Sequence, residues 1–272
     1  MDLSLLRVTV AAYLLATVAA VADLAVPRPG LKWAAIRLLW IGLLAHVGVL
    51  SARAVAAGYT PITNWSETMS VLGFLVVAGF LILQFRYPLA TLAVMIGPLA
   101  FVLTFGAYAF YQGVGELPPK LQSILLPVHA SLAIFGMALF SLAFAMSLAY
   151  LIQERRLKGK RMGTQFHLPP LEMLDRLNHR FLTWGLSLFT LAIVSGVVWA
   201  HLAWEHFWSS EPRLLWAGGT WVVYALVLQG RLTAGLRGRR AAALTILGFA
   251  TLVLSLISEK VFVMGRHGGT FG

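Results

Sequence analysis

Apolar positions in this chain fall in long unbroken runs, at 3–23, 35–57, 68–84, 88–108, 128–152, 178–203, 214–229 and 241–262. Each is close to the roughly 20 residues that a helix needs to cross a hydrocarbon core. The runs are continuous and do not alternate in ten-residue segments, which selects helices over the strands of a membrane barrel. The pattern predicts an all-α fold: a polytopic membrane bundle of about eight transmembrane helices, forming one integral membrane domain over residues 1–272. Breakers punctuate the runs: Pro27, Pro29 and Gly30 in the first loop, Pro88 at the opening of the fourth helix, and Pro127 just before the fifth. The longest polar connector, 153–177, joins a basic cluster to Pro169-Pro170, Glu172 and Asp175, and is expected to be a solvated loop. The chain carries no internal repeat and no low-complexity tract.

Composition narrows the class further. The chain is 59% hydrophobic and 11% charged, with mean hydropathy +0.82, too little polar surface for a soluble domain of this length. Cysteine is absent, which removes thiolate metal ligation, iron–sulfur clusters and thiol catalysis. Any bound metal would have to be held mostly by histidine.

The net charge of +11 is a topology signal. Loops after the odd-numbered helices hold Arg28, Lys32, Arg86, Arg155, Arg156, Lys158, Lys160, Arg161, Arg176, Arg231, Arg237, Arg239 and Arg240. The opposite loops and tail offer Lys120, Arg213, Lys260 and Arg266. By the positive-inside rule the first set is cytoplasmic, so both termini face out, and nucleic acid is not an expected partner. Ala20-Val21-Ala22 resembles a signal-peptide cleavage site, but the positive charge follows this run and does not precede it. A retained helix is expected.

With that topology four of the seven histidines share the outer face: His129 at the start of the fifth helix, His201, His206, and His267 in the tail. His46 lies in mid-membrane, where a polar side chain must find a partner. Residues 199–224, WAHLAWEHFWSSEPRLLWAGGTWVVY, add Trp199, Trp204, Trp208, Trp216 and Trp221 to the outer face. Tryptophans gather at any membrane interface, and Trp204 and Trp208, four apart, would share one face of a short surface helix. The same indoles could instead wall a flat apolar ligand. Two imidazoles held at surface depth, His129 and His267, could take both axial positions of one haem iron. Cations near its rim, Arg213, Arg266, Lys120 or Arg53, would suit haem carboxylates. Arg53, Glu67, Glu259 and Lys260, at helix ends, can also reach the interface or one another.

The tryptophan run resembles the signature of the cytochrome c assembly family of haem-handling membrane proteins, approximately W-A-x-x-A-W-G-x-Y-W-S-W-D-P-K-E-T-W. Trp199, Ala200, Ala203, Trp204, Trp208, Ser209, Pro212, Trp216 and Trp221 fall on matching positions without a gap. Residues 44–67, LAHVGVLSARAVAAGYTPITNWSE, look like the family's H…R…G-x-x-P-x-x-N-x-x-E stretch, and His129 and His267 stand where its two outer haem ligands belong. Together with the chain length, LRGRRAAALTILGF at 236–249 looks most like the HemX/YpjD-type branch. The chain departs from the synthases of the family at Ser210, Leu214 and Gln229.

The resemblance implies a haem-binding protein of the bacterial inner membrane, working in haem transfer, export or cytochrome c maturation. It implies b-type haem held by His129 and His267, walled by the five tryptophans, with Arg213 at a propionate and His46 marking a second haem or a passage point. Haem, lipid and proteins of cytochrome c maturation or haem biosynthesis are the implied partners, and no covalent catalysis is expected. The alternative is a membrane regulator or scaffold that controls haem biosynthesis through the 153–177 loop.

Overall fold

The computed structural model describes residues 3–26, 28–111, 113–114, 123–159, 168–204 and 212–267, with the backbone alone at 29, 202–204, 212–214 and 259–267. The described residues form eight α-helices: α1 (Leu3–Ala25), α2 (Pro29–Ala57), α3 (Trp65–Gln84), α4 (Ala93–Ala109), α5 (Leu125–Lys158), α6 (Leu171–Trp204), α7 (Pro212–Thr233) and α8 (Gly238–His267). A single 3-10 turn, Ala90–Leu92, leads into α4. No strand occurs among the described residues.

Seven of the helices are long and apolar enough to cross a membrane. The exception, α7, is 22 residues long, about 33 Å at 1.5 Å per residue. It has the length to cross, but two tryptophans, a Gly-Gly pair, Gln229 and Arg231 dilute its apolar character. Its contacts nevertheless run antiparallel to both neighbours: Trp221 meets Thr190 and Arg231 meets Asp175 on α6, while Thr220 meets Thr251 and Tyr224 meets Thr245 on α8. It therefore occupies the place of an eighth crossing.

Two predicted boundaries shift. The connector expected at 153–177 is shorter, because α5 continues to Lys158 and α6 begins at Leu171. Pairs four residues apart, Glu154–Lys158 and Glu172–Arg176, support these polar extensions. The tryptophan segment likewise does not form a separate surface helix at its start, since Trp199 and Trp204 belong to α6, and Trp216 and Trp221 to α7. The stretch with His206, Trp208 and Ser210 lies outside the described residues.

Helices α1–α4 pack as one half of the bundle and α5–α8 as the other, with α3 against α5 joining them. A single buried core, including Phe80, Leu92, Phe140, Leu182 and Tyr224, extends through both halves. Small residues set the closest approaches. A Cβ on Gly136 would meet the Gly185 carbonyl at 3.2 Å, and one on Gly185 would meet Phe140 at 2.8 Å, so α5 and α6 touch backbone to side chain along their middle.

The eight helices alternate in direction, so Leu3 and His267 emerge at one end of the bundle. That end gathers Trp65, His129 and Trp199, and is called the tryptophan end below. The opposite, basic end carries Arg155, Arg156 and Lys158 on α5 and Arg239 and Arg240 on α8. There α6, α7 and α8 are clasped by charge. Arg231 donates from Nη1 and Nη2 to the two oxygens of Asp175 at 3.2 and 3.0 Å, and from Nη2 to Asn178 Oδ1 at 2.8 Å. Asp175 also accepts from the Gly238 amide, and Asn178 Nδ2 donates to Ala143 O and Ser147 Oγ.

Candidate functional site

His129 stands in the second turn of α5 and is partly buried against α6. Its Nδ1 lies 2.7 Å from the Ala192 carbonyl oxygen. A carbonyl only accepts, so Nδ1 carries a proton, and in the neutral ring the lone pair is on Nε2. The Trp199 indole lies nearly parallel to the imidazole, at 24° with centroids 6.3 Å apart. Gly196, one helical turn beyond Ala192, gives the ring its room: a Cβ there would sit 2.6 Å from His129 Cε1 and 2.7 Å from Nδ1. Sequence reasoning found His129 and Trp199 but not Ala192 or Gly196. The available signal was spacing, since residues 192, 196 and 199 share one face of α6.

The rest of the predicted set is distributed around this point. His267 is the last described residue of α8, at the same end, and its side chain lies outside the described part, as do those of Trp204 and Arg213. The Trp216 side chain is half-exposed on the first turns of α7. The Trp221 side chain is deeper, about 13 Å along α7 from Pro212, and its indole N–H donates to Thr190 Oγ1 at 2.8 Å. Trp221 thus ties α7 to α6 while its ring stays partly exposed on the surface of the bundle. His201, on the last turn of α6, is exposed. Gln229 is exposed near the basic end of α7.

His46 is fully buried in the first half of the bundle. Its Nε2 is 3.0 Å from Ser70 Oγ and its Nδ1 3.4 Å from Tyr13 Oη, with the Phe74 ring edge-on at 5.7 Å. Gly42, a turn before it, is the slot into which the Tyr13 ring fits, since a Cβ there would overlap that ring. Both ring nitrogens of His46 therefore face hydroxyls.

The stretch 44–67 acquires a physical meaning at the tryptophan end. Gly58 ends α2 in the left-handed conformation, φ 70°, with its amide closing onto Ala54 O. Asn64 caps α3 by accepting from the Glu67 amide at 2.9 Å. Between them Arg53 and Glu67, both almost completely buried, form an ion pair: Nη2 and Nε lie 2.7 and 2.8 Å from Oε1. Glu67 Oε2 accepts from the amide and hydroxyl of Thr63 at 2.8 and 2.9 Å. Arg53 Nη2 also donates to Gly113 O at 3.2 Å, and its guanidinium faces the Tyr111 ring. Arg53 thus binds the end of α2 to the start of α3 and to the loop after α4. Beside it, the Trp65 indole donates to Leu256 O of α8 at 3.2 Å, so the helix that ends in His267 is anchored to the first half of the bundle. Among the described residues no group of three or more His, Asp or Glu side chains gathers to hold a bare metal ion.

The chain is similar to proteins already known. The family model described as Cytochrome C assembly protein matches residues 55–265. The cytochrome c biogenesis protein CcsA of Guillardia theta is 27% identical over 241 residues, covering 80% of this chain and 79% of its own. CcsA of Synechococcus sp. (strain CC9902) is 28% identical over 267 residues, covering 88% and 86%, and CcsA of Porphyra purpurea is 28% identical over 286 residues, covering 90% of each. Among solved structures, Cytochrome c Heme Lyase CcmF superposes with a TM-score of 0.69 at 16% identity, over 93% of this chain and 45% of that one. At that identity the likeness is one of fold, and this chain spans under half of the larger protein.

Proposed function

The chain belongs to the cytochrome c assembly protein family, and on that premise we propose that it holds haem at the tryptophan end of its bundle. We place the protein in the bacterial cytoplasmic (inner) membrane with this end facing out, and its work in haem transfer, export or cytochrome c maturation. Haem is the cargo, b-type and non-covalently held; it brings an iron with four porphyrin nitrogens and two axial positions. His129 and His267 are the residues to fill those positions. Trp199, Trp204, Trp208, Trp216 and Trp221 would frame the porphyrin, and Arg213 would contact a propionate. His46 is the candidate for a second, deeper haem or a passage point, and either use must displace Tyr13 or Ser70 from its ring.

The observation that carries the reading is the state of His129. An imidazole with Nδ1–H tied to a backbone carbonyl, Nε2 bearing the lone pair, and a parallel indole beside it is prepared as an axial ligand next to a flat apolar ring. What this chain contributes is ligation, orientation and an apolar wall. Other maturation proteins would deliver or receive the haem, with lipid around the bundle.

The test is an absorption spectrum of the detergent-purified protein, as isolated and after haem addition. The expected result is a low-spin bis-histidine b-type spectrum that is lost in His129→Ala and in His267→Ala. A wild-type protein that shows no Soret band even with added haem would sink the reading.

A further inference from the structure

We propose that α6 acts as the positioning element of the histidine site: the Ala192 carbonyl and the absent side chain of Gly196 together fix the tautomer and setting of His129. This rests on the reading of His129 as a ligand, and it adds residues that neither the tryptophan signature nor the histidine pattern contains. An imidazole can ligate only through a nitrogen that carries a lone pair, and a hydrogen bond from the other nitrogen both fixes that choice and raises the basicity of the ligating one.

The geometry is specific. Ala192 O receives His129 Nδ1–H at 2.7 Å, and the single Ser195 hydroxyl proton is shared between Leu191 O at 2.8 Å and Ala192 O at 3.0 Å. Gly196 lies on the same face, and a Cβ there would stand 2.6 Å from Cε1 and 2.7 Å from Nδ1. Carbon atoms do not approach so closely, so the ring would have to swing away and the bond to Ala192 would open. Trp199 closes the site on the next turn, near-parallel to the ring. Glycine is among the least favourable residues in a helix interior, and here the space it leaves is filled by the imidazole.

Gly196→Ala is therefore expected to leave the helix formed and to displace the histidine. The first measurement needs no haem. In detergent-solubilised protein with 15N-labelled histidine, the His129 signals, identified by their absence in His129→Gly, should show a protonated Nδ1 and an unprotonated Nε2 in wild type. Gly196→Ala should lose that single-tautomer pattern while the protein remains folded and helical by circular dichroism. A wild-type ring protonated on Nε2, or a Gly196→Ala ring with unchanged signals, overturns the inference whether or not the protein binds haem.

The second measurement is haem titration. Gly196→Ala should weaken binding by about tenfold or more, the usual effect of removing a partner that orients a metal ligand. Haem affinity in Gly196→Ala equal to that of wild type would also overturn the inference. Absence of haem binding in wild type would defeat the proposed function alone and leave the tautomer result standing.

Discussion

Glu67→Gln is the sharpest test of the polar architecture at the tryptophan end. The carboxylate accepts from Arg53 on Oε1 and from the Thr63 amide and hydroxyl on Oε2. A glutamine has one acceptor oxygen for these two sets of donors, so its amide nitrogen must face either the guanidinium or the Thr63 amide. Arg53 would then be a buried cation with no counter-charge, since the two side chains are 1% and 2% exposed. Breaking a buried pair from one side costs about 3–5 kcal/mol. At roughly 2–4 °C per kcal/mol for a chain of this size, the unfolding temperature should fall by about 6–20 °C. Arg53→Met should be comparably damaging. The double variant Arg53→Met/Glu67→Gln should be damaged less than the sum, because it buries no uncompensated charge. Thermal unfolding in detergent followed by far-ultraviolet circular dichroism measures all three. Additive losses, or a Glu67→Gln protein that melts with wild type, would refute the assignment of this pair as a buried and coupled clamp.

Three further outcomes are expected. Asp175→Asn should destabilise the bundle by about 2 kcal/mol, the scale of a hydrogen bond to a charged group, while leaving a haem spectrum unchanged, because the clasp lies at the end opposite His129. Gly248→Ala should cost about 1–3 kcal/mol in the same melts, since its Cβ would meet the Tyr224 ring at 2.6 Å, whereas Gly30→Ala, with nothing within 4 Å, should not destabilise. Replacing Arg155, Arg156 and Lys158 together by glutamine should leave haem content unaltered in purified protein; loss of haem there would count against a carrier and favour control through the basic end.

The spanning helices could be read from the sequence because continuous apolarity over about 20 residues has few physical outcomes other than a membrane helix. Their ends could not. Hydropathy stops where charge begins, yet Glu154–Lys158 and Glu172–Arg176 carry α5 and α6 past that point. The tryptophan segment was visible as composition, but composition cannot show that the Trp221 indole reaches across to Thr190 on another helix. His129 was found through its residue type and position. Ala192 was not, because it acts through a backbone carbonyl that every residue possesses, and Gly196 was not, because it acts through an absent atom. Arg53 and Glu67 were suspected of pairing; what the sequence could not show is that the pair is buried and also holds the loop after α4.

The marginal character of α7 bears on how the chain is made. A helix carrying two tryptophans, a glycine pair and Arg231 is a poor candidate for entering a bilayer alone, because charged residues oppose insertion even when other positions favour it. Its polar groups are satisfied by partners on either side: Thr220 by Thr251 on α8, Arg231 by Asp175 and Asn178 on α6. Insertion of α7 is therefore expected to lean on its neighbours, above all on α6, which is made first and already carries the partners of Arg231.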